Sequence, residues 1–113
     1  MSSTIELTTQ NFDEVIAKPG YLIIDFWAAW CGPCKVMKPV FEALSADPEM
    51  EKVQFASVDV DAFPDMADTF GVTGIPAFFL LNRDGKGEYT LVQKFTGAQD
   101  GLTFKQNVLA SIS

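Results

Sequence analysis

The chain has 113 residues, enough for one domain with one hydrophobic core and no more. Hydrophobic residues make up 48% and charged residues 20%, a globular composition that excludes a disordered chain. The 8 Lys and Arg against 15 Asp and Glu leave a net charge of −7, with 0 histidines. That balance argues against a phosphate-tracking nucleic-acid face and a polybasic membrane patch, and it removes every histidine base, triad or metal ligand.

The N-terminus reads MSSTIELTTQ, with neither a basic stretch nor an apolar core, so a secretory signal is not expected there. The longest apolar run, residues 21–31, is interrupted by Asp25 and spans about half of the ~20 residues a membrane helix needs. A soluble, cytoplasmic protein is expected. No repeat or linker interrupts the chain, and a single domain over residues 1–113 is expected.

Residues 5–7 are a short strand candidate. Asn11 precedes Glu14 at capping-box spacing, which predicts a short helix with Phe12, Val15 and Ile16 inward, ended by Pro19-Gly20. Residues 21–28 form an apolar run of strand formers that suits a central strand buried on both faces. A helix follows Trp30-Cys-Gly-Pro-Cys34, with Pro33 as its first residue and its end near Ala46. Val36, Met37, Val40, Phe41 and Leu44 make its apolar stripe, and Pro39, lacking an N–H, predicts a kink. Residues 53–60 are a valine-rich strand, and Pro64 and Gly71 bracket a short helix. Residues 77–81 and 89–95 are strands joined through Asn82-Arg-Asp-Gly-Lys-Gly87. Residues 102–112 form a last helix with Phe104, Val108, Leu109 and Ile112 on one side. Strands and helices alternate until the final hairpin, so a parallel sheet covered on both faces, with an antiparallel edge, is expected.

Cys31 and Cys34 are the only cysteines. Without histidine one chain cannot assemble a Cys/His zinc site, and Lys35 stands where a c-type haem site needs histidine. A metal shared between two chains, a structural disulfide closing a very short loop, and two inert thiols remain alternatives. Placement favours a redox motif, because the pair follows a buried strand and opens a helix. Cys31 at the helix N-terminus meets unpaired N–H groups and the positive end of the dipole, which favour an attacking thiolate. Cys34, one turn further in, would resolve the resulting mixed disulfide. Gly32 permits close approach of a substrate backbone, and Pro33 stiffens the turn.

Asp25 is the one charged residue in its strand. Buried there it would hold its proton more tightly and could accept the Cys34 proton, directly or through water. A strand-edge aspartate reaching solvent is the other reading. Lys38 either offsets that charge or is simply solvated. Trp27 and Trp30 flank the loop and can orient polar groups or shield a thiol, though Trp27 suits the core equally. Ile75-Pro76 precedes a strand, and spacing alone favours a trans bond there.

Asp25-Phe-Trp-Ala-Ala-Trp-Cys-Gly-Pro-Cys-Lys35 resembles the active-site segment of the thioredoxin family. The likeness extends to Pro39, Asp59-Val-Asp61, Gly71-Val-Thr-Gly-Ile-Pro76 and Gly97, and so covers essentially the whole chain. It implies the thioredoxin fold, an α/β fold with a mixed five-stranded sheet in the order 1-3-2-4-5 and four flanking helices. It also implies a cis peptide before Pro76, packed against a Cys31–Cys34 disulfide. Cys31 would be the nucleophile, Cys34 the resolving thiol and Asp25 the proton-transfer carboxylate. Trp30, Gly74, Ile75, Pro76 and Gly97 would line a shallow apolar surface where protein substrates dock. Electrons would come from NADPH through thioredoxin reductase, with no cofactor bound to the domain itself. Apart from the resemblance, a monomer is the default expectation.

Two positions and one loop depart from the family pattern. Ser57 stands where many bacterial members carry lysine, Ala77 follows the proline where threonine is common, and the loop over residues 82–88 reads as long. The leading functional expectation is a protein disulfide reductase. An oxidase or isomerase is the rival within the fold, although such relatives usually carry histidine where Pro33 stands. A non-catalytic subunit using the same apolar surface is the rival outside redox chemistry.

Overall fold

The computed structural model describes residues 4–112. Residues 1–3 and 113, included in the one-domain expectation, lie outside the described residues. The elements are β1 (Ile5–Glu6), α1 (Phe12–Ile16), β2 (Pro19–Trp27), α2 (Gly32–Ser45), β3 (Val53–Asp59), α3 (Pro64–Phe70), β4 (Ala77–Asp84), β5 (Tyr89–Thr96) and α4 (Gly101–Ile112). They build one 5-stranded sheet in the order β1-β3-β2-β4-β5. β1, β3 and β2 run parallel, and β4 and β5 complete the sheet antiparallel. The expected architecture and strand order are both present.

The pleat divides the core. Leu22, Ile24 and Phe26 of β2 face Val15 and Ile16 of α1 and Met66 and Ala67 of α3. Ile23 points the other way, toward Met37, Phe41 and Leu44 of α2 and Phe104 and Val108 of α4. Period-2 alternation on a strand buried on both faces therefore places Asp25 beneath α2. α2 carries Pro39 without interruption of the helix. Gly71 stops α3 with φ 72°, a left-handed cap that glycine adopts without strain.

Local chemistry shifts several expected boundaries. The capping box at Asn11 does not form: Asn11 Oδ1 accepts from the Thr8 N–H at 2.7 Å, and its Nδ2 donates to the Glu6 carbonyl at 2.8 Å. Asn11 thus ties the end of β1 to the start of α1 rather than capping the helix. A 3-10 turn, Pro48–Met50, opens with the Asp47 carboxylate accepting from the Glu49 N–H. β2 begins at Pro19, and β4 runs on to Asp84, so the connection read as residues 82–88 contracts to a tight hairpin. There the Asp84 carboxylate accepts from the N–H groups of Lys86 and Glu88.

Arg83 anchors the far end of β4. It is only 5% exposed, on the buried side of the strand. Its guanidinium donates to the carbonyls of Val15 at 2.8 Å, Gly20 at 2.9 Å, Tyr21 at 3.2 Å and Pro19 at 3.4 Å, and to Gln54 Oε1 at 2.6 Å. These acceptors lie at the end of α1, at the start of β2 and on β3. No carboxylate pairs with Arg83 among the described residues, so carbonyl dipoles carry the charge. Arg83→Met is expected to destabilise the fold by on the order of 3 kcal/mol, because the carbonyls lose their donors in a buried place. Urea unfolding at neutral pH checks this; a loss near zero would mean that water replaces the guanidinium at no cost.

Candidate active site

The Cys31–Cys34 pair lies where β2 hands over to α2. β2 ends at Trp27, and the Cys31 N–H donates back to the Ala28 carbonyl at 3.1 Å. Cys31 is the N-cap of α2, with φ −87° and ψ 108°. Its Sγ accepts from the Cys34 N–H at 3.2 Å, the bond an N-cap side chain makes to an otherwise orphaned donor. The sulfur therefore sits where backbone N–H groups converge. The two cysteines are joined as a disulfide, with Cα atoms 5.2 Å apart.

Both cysteines are buried, packed with Ala28, Trp27, Val60 and Ile75. Gly32 and Pro33 between them are exposed. The peptide before Pro76 is cis, as the resemblance implied and spacing alone did not. Pro76 itself is buried, and its carbonyl accepts from the Gly97 N–H at 2.9 Å. Cys31, Gly32, Ile75 and Pro76 are thus brought to one end of the sheet, with exposed Gly74 beside Ile75 and Gly97 held to Pro76.

Trp30 is 69% exposed beside this end. Its Nε1 donates to Asp61 Oδ2 at 3.0 Å, which fixes the ring over the loop after β3. That loop is itself tied, since Asp59 Oδ1 accepts from the Asp61 N–H at 2.9 Å. Asp61 was visible in the sequence only as part of a motif, and its role as the tryptophan's acceptor depends on a contact between residues far apart in the chain. Trp27 is half-buried against the disulfide cluster.

Behind the disulfide lies a cavity of about 470 Å³. Cys34 lines it and Cys31 does not; Asp25, Ser57, Glu6, Lys38 and Glu42 line it as well. Asp25 is 6% exposed, and its Oδ1 has no hydrogen-bond partner. Burial pushes its pKa up from the ordinary 3.8 to about 7. The strand-edge reading of Asp25 is therefore corrected: it lies inside β2, on the face covered by α2. Lys38 reaches the cavity wall but forms no ion pair with Asp25 among the described residues. The arrangement places a buried carboxyl on the Cys34 side of the disulfide and the exposed Trp30 and Gly32 on either side of Cys31.

Among the described residues no group of His, Cys, Asp and Glu is placed to hold a metal ion, and no helix is long and apolar enough to cross a membrane. The family model described as Thioredoxin matches residues 3–110. A thioredoxin of Chlamydia muridarum is 41% identical over 97 residues, covering 85% of this chain and 87% of that protein. A putative thioredoxin 2 of Streptomyces coelicolor is 44% identical over 82 residues, covering 72% of this chain and 59% of that longer protein. The solved thioredoxin of Malassezia sympodialis matches with a TM-score of 0.83 at 31% identity, covering 100% of this chain and 94% of that one.

Proposed function

The chain belongs to the thioredoxin family, and from that premise we propose that it serves as a general reductase of protein disulfides. It is a thiol–disulfide oxidoreductase working through Cys31 and Cys34, and one observation carries this: the pair is closed as a disulfide on the N-terminus of α2. The reaction starts from the reduced pair. The Cys31 thiolate attacks one sulfur of a substrate disulfide, forms a mixed disulfide and expels the other substrate thiolate, which takes up a proton. Cys34 gives its proton to the Asp25 carboxylate and attacks Cys31 Sγ. The intramolecular disulfide forms, and the second substrate thiolate leaves and is protonated. Two electrons have passed from the dithiol to the substrate.

Trp30, Gly74, Ile75, Pro76 and Gly97 are the proposed docking surface. An extended substrate strand fits beside Ile75-Pro76 by backbone pairing, with Gly32 allowing close approach and Pro33 holding the turn. Trp27 shields the pair, and Lys38 moderates the charge of Asp25 from the cavity wall. The oxidised pair is re-reduced by an external dithiol donor, which we assign to a thioredoxin reductase fed by NADPH. The cytoplasm belongs to the same proposal, since its thiols are kept reduced, as does action as a monomer.

The test is the reduction midpoint of the pair, followed by tryptophan fluorescence in a dithiol/disulfide buffer. Thioredoxins as a class lie near about −270 mV, an empirical reference value, against about −120 to −180 mV for oxidising relatives. A midpoint in the first range is expected. A midpoint in the second would make the chain an oxidant or isomerase and overturn the reductase reading together with its compartment.

A further inference from the structure

The cavity behind Cys34 contains a row of polar residues across the sheet. In register, Glu6 of β1 stands beside Ser57 of β3, and Ser57 stands beside Asp25 of β2. Register partners on adjacent strands project from the same face, with the strands about 4.8 Å apart. All three residues line the cavity. On the other side of Asp25 the register partner is Phe78, and Ile23 precedes Asp25 on its own strand face. Phe78 and Ile23 offer no side-chain donor. Oδ1 of Asp25 is buried and unpartnered, and a carboxylate that ionises there needs a donor. The Ser57 hydroxyl is half-buried, one strand away, and turns about a single bond.

We propose that Ser57 is a positioning residue for the redox reaction: its hydroxyl donates to the ionised Asp25 carboxylate and so sets the pH at which Asp25 can take the Cys34 proton. The proposal rests on the reading of Asp25 as that acceptor. Glu6, exposed at the end of the row, acts in the opposite sense, because its negative charge disfavours a second one nearby. The other charged groups facing the cavity are Lys35, Lys38 and Glu42, all from α2. They are common to every variant compared below.

The experiment is single-turnover reaction of the reduced protein with dithiobis(nitrobenzoate), which releases one coloured thiolate when Cys31 is captured and a second when Cys34 resolves the adduct. The rate of the second release is followed from about pH 5 to about pH 9 in the parent and in the Ser57→Ala, Ser57→Thr, Glu6→Gln and Asp25→Asn variants. Loss of a hydrogen bond to the charged form moves the midpoint of the Ser57→Ala profile up by about one pH unit, so the second release is about tenfold slower below it. Ser57→Thr keeps the parental midpoint. Glu6→Gln moves it down by a few tenths, less at high salt. The first release is unchanged in all three. An unmoved midpoint in Ser57→Ala overturns the proposal. So does a threonine variant that behaves like alanine, or a Ser57→Ala effect that falls equally on both releases. Asp25→Asn separates the two readings. If it keeps the parental profile, the assignment of Asp25 fails; if it flattens the profile while Ser57→Ala changes nothing, only the role of Ser57 fails.

Discussion

Cys34→Ser is expected to leave the chain able to capture substrates and unable to release them. The hydroxyl of serine does not ionise near neutral pH, so nothing attacks Cys31 Sγ in the mixed disulfide. Turnover of a protein disulfide with a dithiol reductant should fall by roughly three orders of magnitude or more. Adducts sensitive to reduction should accumulate at Cys31 and appear in the intact mass. Cys31→Ser should lose turnover as completely and form no adducts. Burial alone does not decide the order of attack, since each cysteine is 4% exposed. The surroundings support the proposed order. Cys31 caps α2, with exposed Trp30 and Gly32 on either side, whereas Cys34 backs onto the Asp25 cavity. Adducts on Cys34 in the Cys31→Ser variant, with none in Cys34→Ser, would reverse the assigned roles.

What could be read from the sequence follows how local each signal is. β2 was legible because a continuous apolar run has one good solution, a strand buried on both faces, and the helix after it because Pro33 and the stripe from Val36 to Leu44 agree. The place of Cys31 at the helix entrance followed from those two elements. Asn11 shows where local reasoning misleads: the same side chain that can cap a helix was recruited by the Thr8 N–H and the Glu6 carbonyl instead. Arg83 shows a signal that local reasoning lacks altogether. Within a turn-like sequence an arginine reads as solvated, yet its carbonyl acceptors sit 62 to 68 residues away and Gln54 sits 29 away. Those contacts tie the end of β4, beside the hairpin, to α1, β2 and β3. The partnership of Trp30 with Asp61 and the row of Glu6, Ser57 and Asp25 likewise need the strand register, which no spacing within one element reveals.

Asp25→Asn is expected to stabilise the oxidised protein in a way that depends on pH. Burial raises the Asp25 pKa to about 7 in the folded chain, while the unfolded chain exposes an ordinary carboxyl near 3.8. Between those values the folded state holds a proton that the unfolded state has released, so parental stability falls as pH rises through this window. Below the window both states are protonated and Asp25 adds no pH-dependent penalty. Above it the full penalty applies, about 4 kcal/mol for the gap between the two values. Asparagine does not titrate, so the difference between variant and parent should start small at acid pH, grow by about 1.4 kcal/mol per pH unit, and level off above neutral pH. Asp47 and Asp100 act in the opposite sense: a hydrogen bond from Lys105 and one from Thr103 hold their carboxyls below the ordinary value. Both are shared by parent and variant and cancel in the difference. Denaturant unfolding of the two oxidised proteins at a series of pH values from acid to alkaline measures it. Parallel curves would mean that solvent reaches Asp25 in the folded state and that no penalty is stored there. A rising difference would identify a folded state that gives up stability at neutral pH for a carboxyl, beside Cys34, that binds and releases a proton at that same pH.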